Sequence, residues 1–167
     1  GVCVIFVQGM QRVAFALRNT SRRGPSGPHQ IVGGAVHARR AMCSKQTEVY
    51  HAVAESTLEA LQDVYEEFAD DEPQLQMDVE YADGVLNVTV GTQGTFVINK
   101  QAPNEQLWLS SPISGPLRYD LSVGDSKWVN SRDGHELLPL LADDFEQLTG
   151  KTLCFNSVAE AVRDAVR

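Results

Sequence analysis

Asn99-Lys100-Gln101-Ala102-Pro103-Asn104-Glu105-Gln106-Leu107-Trp108-Leu109-Ser110-Ser111-Pro112, continuing through Gly115-Pro116-Leu117-Arg118-Tyr119-Asp120, is the stretch that decides the fold. Its centre alternates. In a strand, Leu107 and Leu109 share one face while Gln106, Trp108 and Ser110 share the other. A large aromatic therefore stands among polar neighbours, on the side where ordinary packing gives it no partner. Arg118 falls outward in the same way, between inward Leu117 and Tyr119.

The pattern extends to both sides. Leu75, Met77, Val79 and Tyr81 alternate with Gln76, Asp78 and Glu80, and Asp83-Gly84 is a two-residue hairpin signal. Leu86, Val88 and Val90 alternate with Asn87 and Thr89, and Phe96 and Ile98 with Thr95, Val97 and Asn99. A short further strand is expected around Lys127–Asn130, with Trp128 as a core residue. Strands with one apolar and one polar face form an antiparallel sheet covered on one side.

Two helices supply the cover. From Thr47, read as the N-cap, to Asp71, the residues Val53, Leu58, Leu61, Val64, Tyr65 and Phe68 form a packing face, and Pro73 ends the run. Leu137, Leu141, Phe145 and Leu148 mark a second helix over Glu136–Thr149, stopped by Gly150. The expected fold is α+β: a two-layer α/β sandwich with an antiparallel sheet of about five to six strands and two helices on one face. Residues 154–167 read as a C-terminal tail with the makings of a short helix.

Charge divides the chain sharply. Residues 1–47 hold seven Lys or Arg and no acid, whereas residues 48–167 hold seven bases against 22 acids, a net −15. Residues 1–44, rich in Arg, Ser, Ala and Gly, read as a mitochondrial targeting presequence; chloroplast import or a plain N-terminal extension are the alternatives. The acidic remainder repels nucleic acid and anionic membrane and favours cations or basic protein surfaces. No run approaches the roughly 18 apolar residues of a membrane span. Cys3, Cys43 and Cys154 have no CxxC spacing, which excludes a zinc-ribbon or disulfide framework.

The acids of the first helix are ordered. At about 100° per residue, Glu55, Glu59, Asp63, Glu66 and Asp70 fall within an arc of about 80°. Like charges at i,i+4 cost about 0.2–0.5 kcal/mol per pair, which lysines interspersed along the stripe would have avoided. A merely solvated face is the plain reading; a ridge that attracts hard cations such as Fe²⁺, Mn²⁺ or Ca²⁺ is the functional one. On the sheet, Asn99, Gln101, Gln106, Trp108 and Arg118 form an amide-rich face with the two side-chain types most enriched at interface hot spots. Cover by the tail, with Trp108 in the core, is the alternative. No nucleophile with a base, no phosphate loop and no basic aromatic surface is present.

The block from Asn99 to Asp120, preceded by the acidic helix and followed by Trp128-Val129 and a Leu-rich helix, resembles the frataxin family over about residues 48–153. The resemblance implies a mitochondrial matrix protein of iron–sulfur cluster assembly that binds Fe²⁺ or Fe³⁺ weakly. It implies docking on a complex of cysteine desulfurase and iron–sulfur scaffold protein, where frataxins accelerate sulfur transfer. By position, Asn99, Gln101, Gln106, Trp108 and Arg118 look like the partner-contacting residues. Glu55, Glu59, Asp63, Glu66, Glu67, Asp70 and Asp78 look like the iron-binding carboxylates. Glu105 and Leu117 depart from the basic residues expected in animal relatives. A monomer is expected, with iron-driven oligomers as the exception. The competing reading is an enzyme, a ferroxidase that oxidises Fe²⁺ on the ridge; a third is an acidic adaptor with no metal role.

Overall fold

Asp83 and Gly84 close the first hairpin with φ of 51° and 78°, the left-handed pair that a two-residue turn matched to the strand twist requires. The turn joins β1 (Met77–Ala82) to β2 (Val85–Val90). The chain continues through β3 (Gly94–Gln101), β4 (Gln106–Ser111), β5 (Gly115–Ser122) and β6 (Lys127–Asn130). The six strands pair in sequence order, and every pairing is antiparallel. This computed structural model describes the backbone of residues 34–167 and the side chains from Lys45 onward. Most of the stretch read as a targeting presequence therefore lies outside the described residues.

Register follows from the alternation. Phe96, Ile98, Leu107 and Tyr119 are all buried on one face, and Leu86, Val88 and Val90 extend that face into β2. The opposite face, with Thr95, Val97, Asn99, Trp108 and Arg118, has no helix over it among the described residues. Pairing Asn99 with Trp108 and Trp108 with Arg118 places these three side by side across β3, β4 and β5.

Three helices cover the buried face: α1 (Gly34–Asp71), α2 (Leu137–Thr149) and α3 (Asn156–Val166). In α1, Val53, Leu58, Leu61 and Tyr65 are fully buried. Phe145 of α2 meets Tyr65, Phe68 and Phe96 with ring centroids at 5.8, 5.2 and 6.3 Å, separations at which aromatic pairs attract beyond their area burial. Trp128 is 2% exposed, and its indole N–H donates to Thr57 Oγ1 at 3.0 Å, which itself donates to the Val53 carbonyl at 2.6 Å. The core Trp thus has its one donor satisfied. Gly150, at φ 70°, caps α2 by donating to the Glu146 carbonyl at 2.8 Å. The C-terminal stretch is not peripheral: α3 buries Val158 and Val162 in the same core and packs along α1.

The start of α1 differs from the sequence reading. Thr47 is not an N-cap, because the helix runs back to Gly34 without a break. The preceding Ala-Arg-Arg-Ala-Met run is made of strong helix formers, and the Thr47 hydroxyl is used across the fold, donating to Glu105 Oε1 at 2.5 Å. Among the described residues no helix is long and apolar enough to cross a membrane.

The turn after β4 is fixed from α2. Asp144, 4% exposed, accepts from Ser111 Oγ at 2.5 Å and from Ser114 Oγ at 2.8 Å. Ser111 Oγ in turn accepts the backbone N–H groups of Ile113 and Ser114 at 3.1 and 3.2 Å. Pro112 completes the fit: a Cβ at Gly94 would stand 2.6 Å from its Cβ, so β3 approaches this turn as closely as backbone allows. Replacing Asp144 by Ala strands the buried Ser111 hydroxyl, and such a loss costs roughly 1–3 kcal/mol. Urea denaturation of Asp144→Ala is expected to show a lowered midpoint, while Ser110→Ala, on the open face, leaves it unchanged.

Candidate functional site: the open sheet face and the acidic helix

Two surfaces carry the residues singled out by the sequence, and they lie on opposite sides of the fold. The first is the open sheet face. Arg118 lies over the Trp108 ring, its guanidinium carbon 4.5 Å from the centroid; a cation so placed is attracted by the ring quadrupole, worth about 0.5–1 kcal/mol at an exposed site. The Trp108 indole N–H donates to Gln106 Oε1 at 3.1 Å, and Gln106 Nε2 donates to Asp120 Oδ1 at 2.8 Å. Asp120, Gln106, Trp108 and Arg118 are therefore one continuous array that holds the indole flat and half-exposed. Gln101 is paired with Gln106 in the register, and Asn99 with Trp108. All five sequence-predicted partner residues share this surface.

A cleft of about 420 Å³ opens on this face, bordered by Val97, Asn99, Trp108, Arg118, Asn130 and Arg132. Arg132 was not among the sequence candidates. It sits in the loop after β6, and that loop is tied down: Ser131 N donates to the Arg118 carbonyl at 3.0 Å, and Arg132 N to Asn130 Oδ1 at 2.9 Å. The same loop carries Asp133, whose carboxylate takes the His135 Nδ1 side at 2.5 Å, while His135 Nε2 meets the Tyr119 hydroxyl at 2.8 Å. Hydrogen bonds from the backbone and ring of His135 hold the Asp133 carboxyl below its ordinary range.

The second surface is the outer face of α1. Glu59, Asp63, Glu66, Glu67 and Asp70 are exposed along it, neighbours spaced by about one turn, 5–6 Å between Cβ atoms. Glu66 Oε1 accepts from Gln62 Nε2 at 2.6 Å. Glu55, the first member, is engaged otherwise. It is ion-paired with Lys100, which reaches over from β3, and it accepts from the Tyr81 hydroxyl at 2.6 Å. These contacts, Lys100 first, lower the Glu55 carboxyl below its ordinary value, and burial together with that hydrogen bond raises the Tyr81 phenol. Asp78 is also apart. It pairs with Thr89 on β1, the edge strand, with Met77 and Val79 turned toward the core, so it faces the side of the sheet away from α1. Of the seven carboxylates, five form the ridge; Glu55 is committed to Lys100 and Asp78 stands on another face.

Among the described residues, no three His, Cys, Asp or Glu side chains converge as a metal centre would require. One carboxylate per turn on a convex helix fits a hydrated cation held from one side, with water completing the coordination shell. It does not fit a resident, fully ligated ion.

The fold and these surfaces define a class of protein: a small acidic α+β domain with an exposed Trp–Arg platform on one side and a carboxylate ridge on the other. The family model for the frataxin-like domain matches residues 43–151. The chain is 50% identical over 101 residues to mitochondrial frataxin of Caenorhabditis elegans, covering 59% of this chain and 74% of that protein. It is 40% identical over 106 residues to the mitochondrial frataxin homolog of Schizosaccharomyces pombe, covering 64% and 67%. Among solved structures, trimeric frataxin from Saccharomyces cerevisiae, complexed with ferrous iron, matches at 41% identity and a TM-score of 0.53, over 59% of this chain and 87% of that one. A second yeast frataxin structure matches at 36% identity and a TM-score of 0.54, over 75% and 96%. The chain belongs to the frataxin family.

The Glu55–Lys100 pair makes a pH prediction. Because the folded carboxyl lies below its ordinary value of 4.5, its contribution is present above the unfolded value and is lost as pH falls through the folded one. With the Glu55 side chain 42% exposed, solvent screening limits the contribution to no more than about 1 kcal/mol. Stability measured by denaturant titration from pH 7 to 3 is expected to fall less steeply at the acid end for Glu55→Gln than for the unaltered protein.

Proposed function

We propose that this protein is a mitochondrial iron-binding regulator of iron–sulfur cluster assembly, acting as an iron chaperone and activator. In this reading it docks through the sheet face on the complex of cysteine desulfurase and scaffold protein and stimulates sulfur transfer. The observation that carries the reading is the Trp108–Arg118 stack, held flat on an uncovered sheet by Gln106 and Asp120. A rigid aromatic with its only donor already bonded loses little freedom on binding and presents a large dry surface, the property of an interface hot spot. Asn99, Gln101 and Gln106 around it supply adaptable polar contacts. The mitochondrial matrix is the proposed location, supported by relatives named as mitochondrial.

Iron is cargo in this reading. Glu59, Asp63, Glu66, Glu67 and Asp70 hold Fe²⁺ loosely and in exchange with water, which suits delivery. The named ferrous complex of the yeast relative supports this role, and its trimeric form supports iron-linked oligomers as a secondary state. The alternative, a ferroxidase, calls for carboxylates and imidazoles gathered around the metals inside a protected site; the spread carboxylates of α1 offer no such arrangement.

Sulfide production by a reconstituted desulfurase–scaffold complex is expected to lose most of its stimulation with Trp108→Ala, a loss of about tenfold or more in docking affinity, as for a hot spot worth at least about 1.4 kcal/mol. Full stimulation by Trp108→Ala would sink the docking face. In an anaerobic Fe²⁺ titration followed by NMR, broadening is expected at Glu59–Asp70 and is expected to vanish when Glu59, Asp63 and Glu66 are changed to Gln. Oxidation of Fe²⁺ in air is expected to run no faster than in buffer.

A further inference from the structure

The seven bases of residues 48–167 are distributed unequally in their pairing. Lys100 is bound to Glu55, Lys127 to Glu136, Lys151 to Glu72, Arg163 to Glu160 and Arg167 to Asp164. The remaining two, Arg118 and Arg132, have no carboxylate partner among the described residues, and both border the same cleft beside Trp108. In a segment of net −15, a cleft bordered by two arginines without a carboxylate partner is a local exception that an anion from outside can meet. Two acids of the neighbouring strand and loop are engaged elsewhere: Asp120 accepts from Gln106 and Asp133 from His135. The hydrogen bond from Ser131 N to the Arg118 carbonyl ties the start of the Arg132 loop to β5.

The rest of the cleft specifies what kind of anion. Val97 and the Trp108 ring give it apolar walls, and Asn99 gives it an amide. Its volume of about 420 Å³ is that of a small-ligand site or of two or three side chains of an extended segment. Guanidinium forks match carboxylates in a bidentate manner. The surrounding acidity disfavours a polyanion such as nucleic acid, whose repeated phosphates would face the whole negative surface, whereas a single carboxylate meets only the local positive pair.

We propose that this cleft is a carboxylate-accepting subsite. It takes one Asp or Glu side chain, together with its apolar neighbour, from an extended acidic segment of a partner protein, with Arg118 and Arg132 as the two halves of the clamp. The proposal rests on the reading of the sheet face as a docking surface and names the chemistry of what docks there. It also assigns Arg132 a binding role that its position in a loop, outside any strand alternation, hid from the sequence.

The test uses a fluorescein-labelled peptide Leu-Glu-Val-Asp-Leu-Glu and its amide counterpart Leu-Gln-Val-Asn-Leu-Gln, titrated against the full chain by anisotropy, with NMR of the Arg side-chain N–H and Trp indole signals. The expected result is binding of the acidic peptide at least roughly tenfold tighter than the amide one, as charge-assisted hydrogen bonds predict. Shifts are expected at Arg118, Arg132 and the Trp108 indole but not the Trp128 indole. Binding is expected to be lost in the double variant Arg118→Gln/Arg132→Gln and retained in Lys127→Gln. Equal binding of both peptides, or unchanged binding by the double variant, overturns the proposal, as does tighter binding of inorganic phosphate or an oligo-dT strand at the same arginines. The docking reading is judged separately by sulfide production. If Trp108→Ala abolishes stimulation while Arg132→Gln stimulates fully and the peptides do not discriminate, the docking face stands and the carboxylate subsite falls. If the acidic peptide binds as expected but Trp108→Ala stimulates fully, the cleft chemistry stands and the docking reading falls.

Discussion

The structure depends on a sheet that, among the described residues, is covered by helices on one side only. Because side chains alternate strictly along a strand, one residue of slip in any pairing would move every buried residue to solvent. Tyr119 would then be exposed and Arg118 forced under the helices, at the cost of burying an unpaired charge. Covering one face thus fixes register across six strands, and fixed register is what sets Asn99, Trp108 and Arg118 in a row. The helices also leave the outer face without a partner of its own. The proposed docking platform lies where the apolar cover stops.

The two functional surfaces are built by different means. The sheet platform is preorganised: a cation over a ring, an indole held by an amide, the amide held by a carboxylate, and a neighbouring loop tied to the β5 backbone. The ridge is the reverse. Its carboxylates are exposed, mutually repulsive and spaced by helical turns, so any cation they hold keeps most of its water. Preorganisation suits a protein interface, and looseness suits an ion that has to be passed on. Beside the ridge, Glu55 ties α1 to the sheet, where Lys100 and Tyr81 fasten the flank of the helix to β3 and β1. Asn99-Lys100-Gln101 therefore serves both layers, with its outer residues on the platform and its middle one gripping the helix.

Much of this was legible in the sequence because it is local. Alternation placed Leu107, Leu109 and Trp108 on their faces, Asp83-Gly84 marked a turn that needs positive φ, and Gly150 marked a helix end. What escaped is set by distant partners. Thr47 looked like a cap, since Thr before an apolar run usually is one, but its partner Glu105 is far along the chain. Glu55 and Asp78 read as members of one carboxylate set because helical phase and sequence proximity cannot show that Lys100 claims the first and that β1 turns the second to the other face. Arg132 carried no periodic signal at all. The signal that would have found it is subtractive: in the acidic residues 48–167 a base without a carboxylate partner is the exception, and only the fold reveals which bases those are.

In the proposed function the sheet face, rather than the helix ridge, meets the assembly complex. The most direct measurement is photo-crosslinking, with a benzoylphenylalanine introduced singly at Asn99 on the sheet and at Glu66 on the ridge. Each variant is irradiated with the desulfurase–scaffold complex. The account predicts crosslinks from position 99, with those from position 66 weak or none. Efficient crosslinking from position 66 with none from position 99 would contradict it.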